Sequence, residues 1–178
     1  MYTKILIGAS LLLLTACGAP SNTVETQTGS VNTGVAQEEQ AFTQLTGTKV
    51  FLIDLENSLS GSEILGCGDG LAYLEYDMSA SQDPVYDTLA ELLTLNPNDY
   101  AASGYYNSLD NAQLTVNSLS INNGVAEVYL NGTLSLGGVC DNPRVVAQLE
   151  KTLLQFPNIT SVDIYINSEP LADFLSLQ

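Results

Sequence analysis

Twice in this chain an Asx-Pro pair opens a run of apolar residues at helical spacing, and a second proline closes it. The pairs are Asp83-Pro84 and Asn142-Pro143, and the closing residues are Pro97 and Pro157. A short polar side chain accepts hydrogen bonds from the unpaired N–H groups of a first helical turn. Proline suits the first helical position because the N–H it lacks would be unpaired there anyway. Val85, Leu89, Leu92 and Leu93 make the stripe of the first helix, and Val146, Leu149, Leu153 and Phe156 that of the second. A helix with one apolar stripe buries it against another layer, so these two helices need a sheet to lie on. The repeated device reads equally as an internal duplication or as convergent capping.

The strands that would form the sheet surround the helices. Lys49 to Leu55 is a near-continuous apolar run, suited to a strand covered on both faces. A turn-rich segment from Asn57 to Gly70 follows. The next strand is Leu71 to Met78, with Ala72, Leu74 and Tyr76 on one face. After the first helix, Asn98 to Asn111 is a polar, Tyr- and Ser-rich excursion. Gln113–Ile121 and Val125–Leu130 then form a hairpin around Asn123-Gly124, the pair best able to take positive φ in a type I′ turn. The alternation Leu114/Val116 slips to Leu119/Ile121, which predicts a β-bulge near Asn117-Ser118. A second irregular segment, Gly132 to Asp141, leads into the second helix, and Ser161 to Asn167 is the last strand. The order strand, strand, helix, hairpin, helix, strand predicts an α/β (α+β) domain: a single small mixed β-sheet with both helices packed on one face.

The N-terminus reads as a targeting segment. Lys4 precedes an apolar run from Ile5 to Leu14, and Leu14-Thr15-Ala16-Cys17 follows the pattern of a bacterial lipobox. The run is too short to span a bilayer, which takes about 20 apolar residues. The expected organisation is a lipoprotein signal peptide over 1–16, a lipidated Cys17 with a flexible tether over 17–48, and a globular domain over 49–178. Cys17 would carry diacylglycerol, with palmitate-type chains. Two or more acyl chains hold a protein stably where one does not. At 5–6 Å × √n, a flexible tether of about 30 residues sets the domain roughly 30 Å from the membrane. An ordinary signal peptide with a chance cysteine is the competing reading.

Composition removes whole classes of chemistry. The formal net charge is −16, and past residue 16 the basic side chains are Lys49, Arg144 and Lys151. Binding nucleic acid or an anionic membrane surface needs clustered Lys and Arg, so neither partner is expected. Histidine is absent, which removes Ser-His-Asp and Cys-His catalysis and nearly every zinc site. Tryptophan is absent too, so any sugar-stacking platform would be built from tyrosine. No metal or cofactor is expected. With Cys17 committed to lipid, Cys67 and Cys140 most simply pair as a disulfide in an oxidising envelope compartment.

Several stretches taken together resemble a known family. They are Gly66-Cys67-Gly68-Asp69 ahead of a strand, Cys140-Asp141-Asn142-Pro143-Arg144 entering a helix, and Gln155-Phe156-Pro157 running into a strand with Val162, Ile164 and Ile166. In this order and spacing they resemble the GerMN domain, the sporulation and spore germination domain, over about 49–170. The resemblance implies a small α/β sandwich outside a bacterial membrane, acting as a non-catalytic binding or assembly module with an envelope protein partner. It carries no catalytic residues over. GerMN domains of spore formers often stand in tandem or fused to other modules, whereas this sequence shows one on a tether.

Bridging Cys67 to Cys140 would bring Asp69, Asp141 and Arg144 within reach of one another. Three readings follow. Asp69 pairs with Arg144 while Asp141 or Asn142 caps the second helix, in a purely structural role. The cluster instead forms a ligand or cation site at the helix N-terminus. Or Asp69 and Asp141 act as the carboxylate pair of an envelope hydrolase on glycan or peptide. Separately, Tyr86, Tyr100, Tyr105 and Tyr106 form an aromatic-rich stretch of the kind enriched at protein interfaces, the candidate partner surface.

Overall fold

The structure is a computed structural model that describes residues 47–59 and 62–176. The expected signal peptide, Cys17 and most of the tether lie outside the described residues.

The first described element is β1 (Thr48–Asp54), which pairs antiparallel with β2 (Gly70–Tyr76). Helix α1 (Pro84–Thr94) starts as its sequence demands: Asp83 accepts a hydrogen bond from the Tyr86 N–H, and Pro84 takes the first position. The excursion expected after it contains a one-turn helix, α2 (Pro97–Tyr100), and a 3₁₀ turn over Ala101–Ser103. The hairpin of β3 (Gln113–Asn122) and β4 (Val125–Thr133) turns on Asn123 (φ +52°) and Gly124 (φ +84°). Its register shifts between Val116 and Ser118, where the slipped alternation placed a bulge. Helix α3 (Asp141–Leu154) crosses over to β5 (Ser161–Ile166), which lies parallel to β4. The chain then adds β6 (Glu169–Pro170), antiparallel to β5, and α4 (Leu171–Ser176). Periodicity did not announce these last two elements, which are too short to show one.

The α/β class holds, but the strands form two sheets rather than one. β1 and β2 make a ribbon, and β3-β4-β5-β6 a separate four-stranded sheet. The reason lies on the free edge of β1. The Lys49 N–H donates to Gln155 Oε1 (2.7 Å), and the Lys49 C=O accepts from Gln155 Nε2 (2.6 Å). The Phe51 N–H donates to Thr152 Oγ1 (3.2 Å), and the Phe51 C=O accepts from Gln148 Nε2 (3.0 Å). Ile53 exchanges both backbone bonds with Tyr106 (2.9 and 2.8 Å). Gln148, Thr152 and Gln155 stand at i, i+4 and i+7, so they share one side of α3. A polar stripe on a helix thus occupies the place of a neighbouring strand and leaves β1 no edge to offer another strand.

Beneath this stripe α1 and α3 lie side by side against β1, and against β3 and β5 of the sheet. One apolar cluster joins Val50 and Leu52, Leu89 and Leu92, Leu149 and Leu153 with Phe156, and Val128 with Ile166, all buried. In the second helix Val145, not Val146, takes the core position, fully buried. That helix begins at Asp141, with Pro143 inside its first turn, where a missing N–H is still tolerated. The other face of β1 packs Ile53 and Phe51 with Leu71 and Ala147, so the strand is covered on both faces as its apolar run required.

Candidate functional site

The two irregular segments meet at the start of α3. Cys67 and Cys140 are joined, with Cα atoms 5.8 Å apart across 73 positions of sequence. Beside them Arg144, one turn into α3, sends Nε to Asp69 Oδ2 (2.7 Å) and Nη1 to Asp141 Oδ1 (3.0 Å). Asp141 is further held by the Tyr106 hydroxyl, which donates to Oδ1 and Oδ2 (3.2 and 3.1 Å), and by the Gly137 N–H on Oδ2 (2.6 Å). The Arg144 guanidinium carbon also sits 5.3 Å from the centre of the Tyr106 ring.

Burial decides what this cluster can do. Asp69 is 5% and Asp141 2% exposed. Two buried carboxylates share one guanidinium, and charge-assisted bonds of this kind are the strong ones. The hydrogen bond to Asp69 does most to raise the Arg144 pKa above its ordinary value, with Asp141 adding to it against the opposing effect of burial. Burial pushes the Tyr106 hydroxyl upward too, and the neighbouring Asp141 adds to that. Cys140, not Asp141 or Asn142, holds the N-cap position of α3, and its side chain makes no capping bond there. Asp141 is instead the first helical residue, its carboxylate turned to Arg144, Tyr106 and Gly137.

A depression of about 500 Å³, lined by Leu55, Tyr106, Val139 and Arg144 among others, lies against the cluster. A second, of about 620 Å³, lies between α3 and α4 and is lined by Ile64, Pro143, Val146 and Leu175 among others. The Lys151–Glu63 pair on its lining (2.5 Å) joins a half-exposed lysine to an exposed glutamate, a setting in which ion pairs contribute little. Among the described residues, no group of three His, Cys, Asp or Glu side chains is arranged to hold a metal ion.

The four tyrosines do not make one surface. Tyr100 is 5% exposed and belongs to the core, where burial, followed by a hydrogen bond to Asp110, pushes its hydroxyl up to about 12. Tyr105 packs partly against the same core, and Tyr106 is tied to Asp141 and to Ile53. Tyr86, on α1, is exposed. Sequence reasoning grouped them because they are near in sequence, but the turn at Gly104 (φ +75°) separates Tyr100 from the other two of the loop. It missed Gln148 entirely. A buried glutamine that bonds Phe51, Ser108 and Asn107 has no signature in one sequence beyond its place between apolar neighbours.

The sequence profile of the sporulation and spore germination family (Germane) matches residues 70–172, more than half of the chain. This chain belongs to that family. Its GerMN fold is similar to that of the first GerMN domain of the sporulation protein GerM from Bacillus subtilis. The two share 18% identity, with a TM-score of 0.51 over 70% of this chain and 84% of that one. A second structure, the tandem GerMN domains of the same protein, overlaps at 16% identity and a TM-score of 0.47, over 69% of this chain and 39% of that one. No protein of curated function matches. The β1 strand of this GerMN chain precedes the matched stretch, as does Cys17.

Proposed function

We propose that this GerMN domain is a non-catalytic binding or assembly module, lipid-anchored through Cys17 on the extracytoplasmic side of a bacterial membrane, where it contacts another envelope protein. The observation that carries the reading is the state of its most reactive side chains. Asp69 and Asp141 are buried and committed to Arg144, so neither is presented to a glycan or peptide as an acid, base or nucleophile. Family membership supports the same reading, and the lipobox pattern at Leu14 to Cys17 supports the anchor.

Two measurements test it in the producing bacterium. A Cys17→Ala variant is expected in the soluble envelope fraction while the wild type sediments with membranes; equal sedimentation of both refutes the anchor. Photo-crosslinkers placed at the exposed Tyr86 and Val139 are expected to capture a discrete protein adduct. Turnover of envelope glycan or peptide by purified protein, lost in Asp69→Asn or Asp141→Asn, refutes the non-catalytic role and establishes the hydrolase.

A further inference from the structure

Beyond the buried ion cluster, the group with unspent chemistry is the disulfide itself, whose two sulfurs sit in unlike surroundings. Cys67 is exposed and lies between Gly66 and Gly68. Nothing lies within 4 Å of where a Cβ of Gly68 would stand, so that side of the loop is open. Cys140 is half-buried at the N-cap of a helix of 14 residues, with no side-chain hydrogen bond of its own.

We propose that the Cys67–Cys140 disulfide is a thiol-exchange site, opened from the folded state by a dithiol reductant that attacks Cys67 and expels Cys140. Exchange goes through the sulfur an incoming thiolate can reach, and it is faster when the departing thiol has the lower pKa. Access selects Cys67. A helix N-terminus stabilises a thiolate, which selects Cys140 to leave. The carboxylates of Asp69 and Asp141 oppose that effect, and Arg144, which pairs with both, offsets one of their two charges.

The balance is that of ordinary exchange. The reductant's thiolate bonds to Cys67 Sγ, the Cys67–Cys140 bond breaks, and its electron pair departs on Cys140 Sγ. The reductant's second thiol, as thiolate, then attacks the reductant sulfur of the mixed disulfide and releases Cys67. Two electrons have moved to the protein, the reductant is left as a disulfide, and solvent supplies protons to the two cysteines. Such exchange requires the fold to tolerate this, and the same loop stays tied to α3 by the buried Arg144–Asp69 pair. The sulfurs are therefore held near one another for re-oxidation.

The test uses the full chain with Cys17→Ser, so that only these two sulfurs report. The folded protein is incubated with reduced glutathione, free thiols are trapped by alkylation, and adducts are mapped by peptide mass. Glutathione is expected on Cys67 over Cys140 by about tenfold or more, and in urea the preference should vanish, since it comes from access and the helix end. Reduced thioredoxin, a dithiol, is expected to open the bond with near-UV circular dichroism retained. Adducts on Cys140 or evenly divided in the folded protein overturn the proposal. So does reduction that proceeds only as the near-UV signal is lost.

Discussion

Gln148 offers the sharpest test of how this fold is held together. The side chain is fully buried, and both ends of its amide are used. Oε1 accepts from the Ser108 N–H (2.8 Å), and Nε2 donates to the Phe51 C=O (3.0 Å) and to Asn107 Oδ1 (2.9 Å). Gln148→Leu keeps the volume but supplies neither donor nor acceptor. The Phe51 carbonyl, the Ser108 N–H and the Asn107 carbonyl oxygen all lose that partner at once. A buried group left unsatisfied costs about 1–3 kcal/mol, less when it finds another partner. Asn107 Oδ1 still accepts from the Leu109 N–H, so two groups carry most of the loss, and the expected destabilisation is about 3–4 kcal/mol. That is a large fraction of the 5–15 kcal/mol typical of a domain. Urea unfolding followed by circular dichroism measures it, with an unchanged m-value showing that the midpoint shift is a stability change. A loss under about 1 kcal/mol would mean that the stripe is replaceable by apolar packing, and the account of the β1 edge would fail.

Other perturbations probe other parts of the structure. Arg144→Met strips the guanidinium from two buried carboxylates and is expected to cost about 3–5 kcal/mol, the range for removing one partner of a buried pair; a chemical denaturation curve superimposable on wild type refutes it. Gly132→Ala places a Cβ 1.8 Å from the Gln113 carbonyl oxygen at φ +132°, so a markedly lower melting temperature or insoluble protein is expected, and wild-type melting contradicts it. Burial raises Tyr76 (with Glu91 adding) and Tyr100 (with Asp110 adding) to about 12 from the ordinary 10. Between those values the unfolded chain has lost protons that the folded one keeps, so stability is intact below pH 10 and falls as pH climbs towards 12; Tyr100→Phe should reduce that slope in denaturant midpoints, and an unchanged slope refutes the assignment. Asp54 behaves in the opposite sense. Burial works to raise it, but donors from Leu59, Ser58 and Glu56 outweigh that and hold it below 3.8, so its contribution disappears as pH falls through the acid range; Asp54→Ala should flatten stability there.

Much of this architecture can be read from one sequence, because the cues for each element are local. Asp83-Pro84 sets the start of α1, Asn123-Gly124 turns the hairpin, and the slip between Val116 and Leu119 marks the bulge. The Asp69–Arg144 contact was legible as well, given the cysteines on either side of it. What stayed hidden depends on long-range pairing. The sheet divides in two because side chains 97 to 106 positions away take the β1 edge, and no periodicity encodes that. Tyr100 and Tyr106 look alike in a loop, yet one ends in the core and the other on a carboxylate. Asn142-Pro143 imitates Asp83-Pro84, but Asp141 is drawn to Arg144 and the helix starts earlier.

The edge of β1 also has a mechanical side. β1 is the first of the described elements, so a pull applied at Thr48 loads this strand directly. β1 is clamped on one side by seven paired residues of β2, and on the other by α3 and Tyr106. A load directed along the strand is shared by the bonds of both edges in parallel, whereas a load across it opens one rung at a time. Drawn from Thr48 along the strand, the domain would therefore resist as a two-sided shear joint.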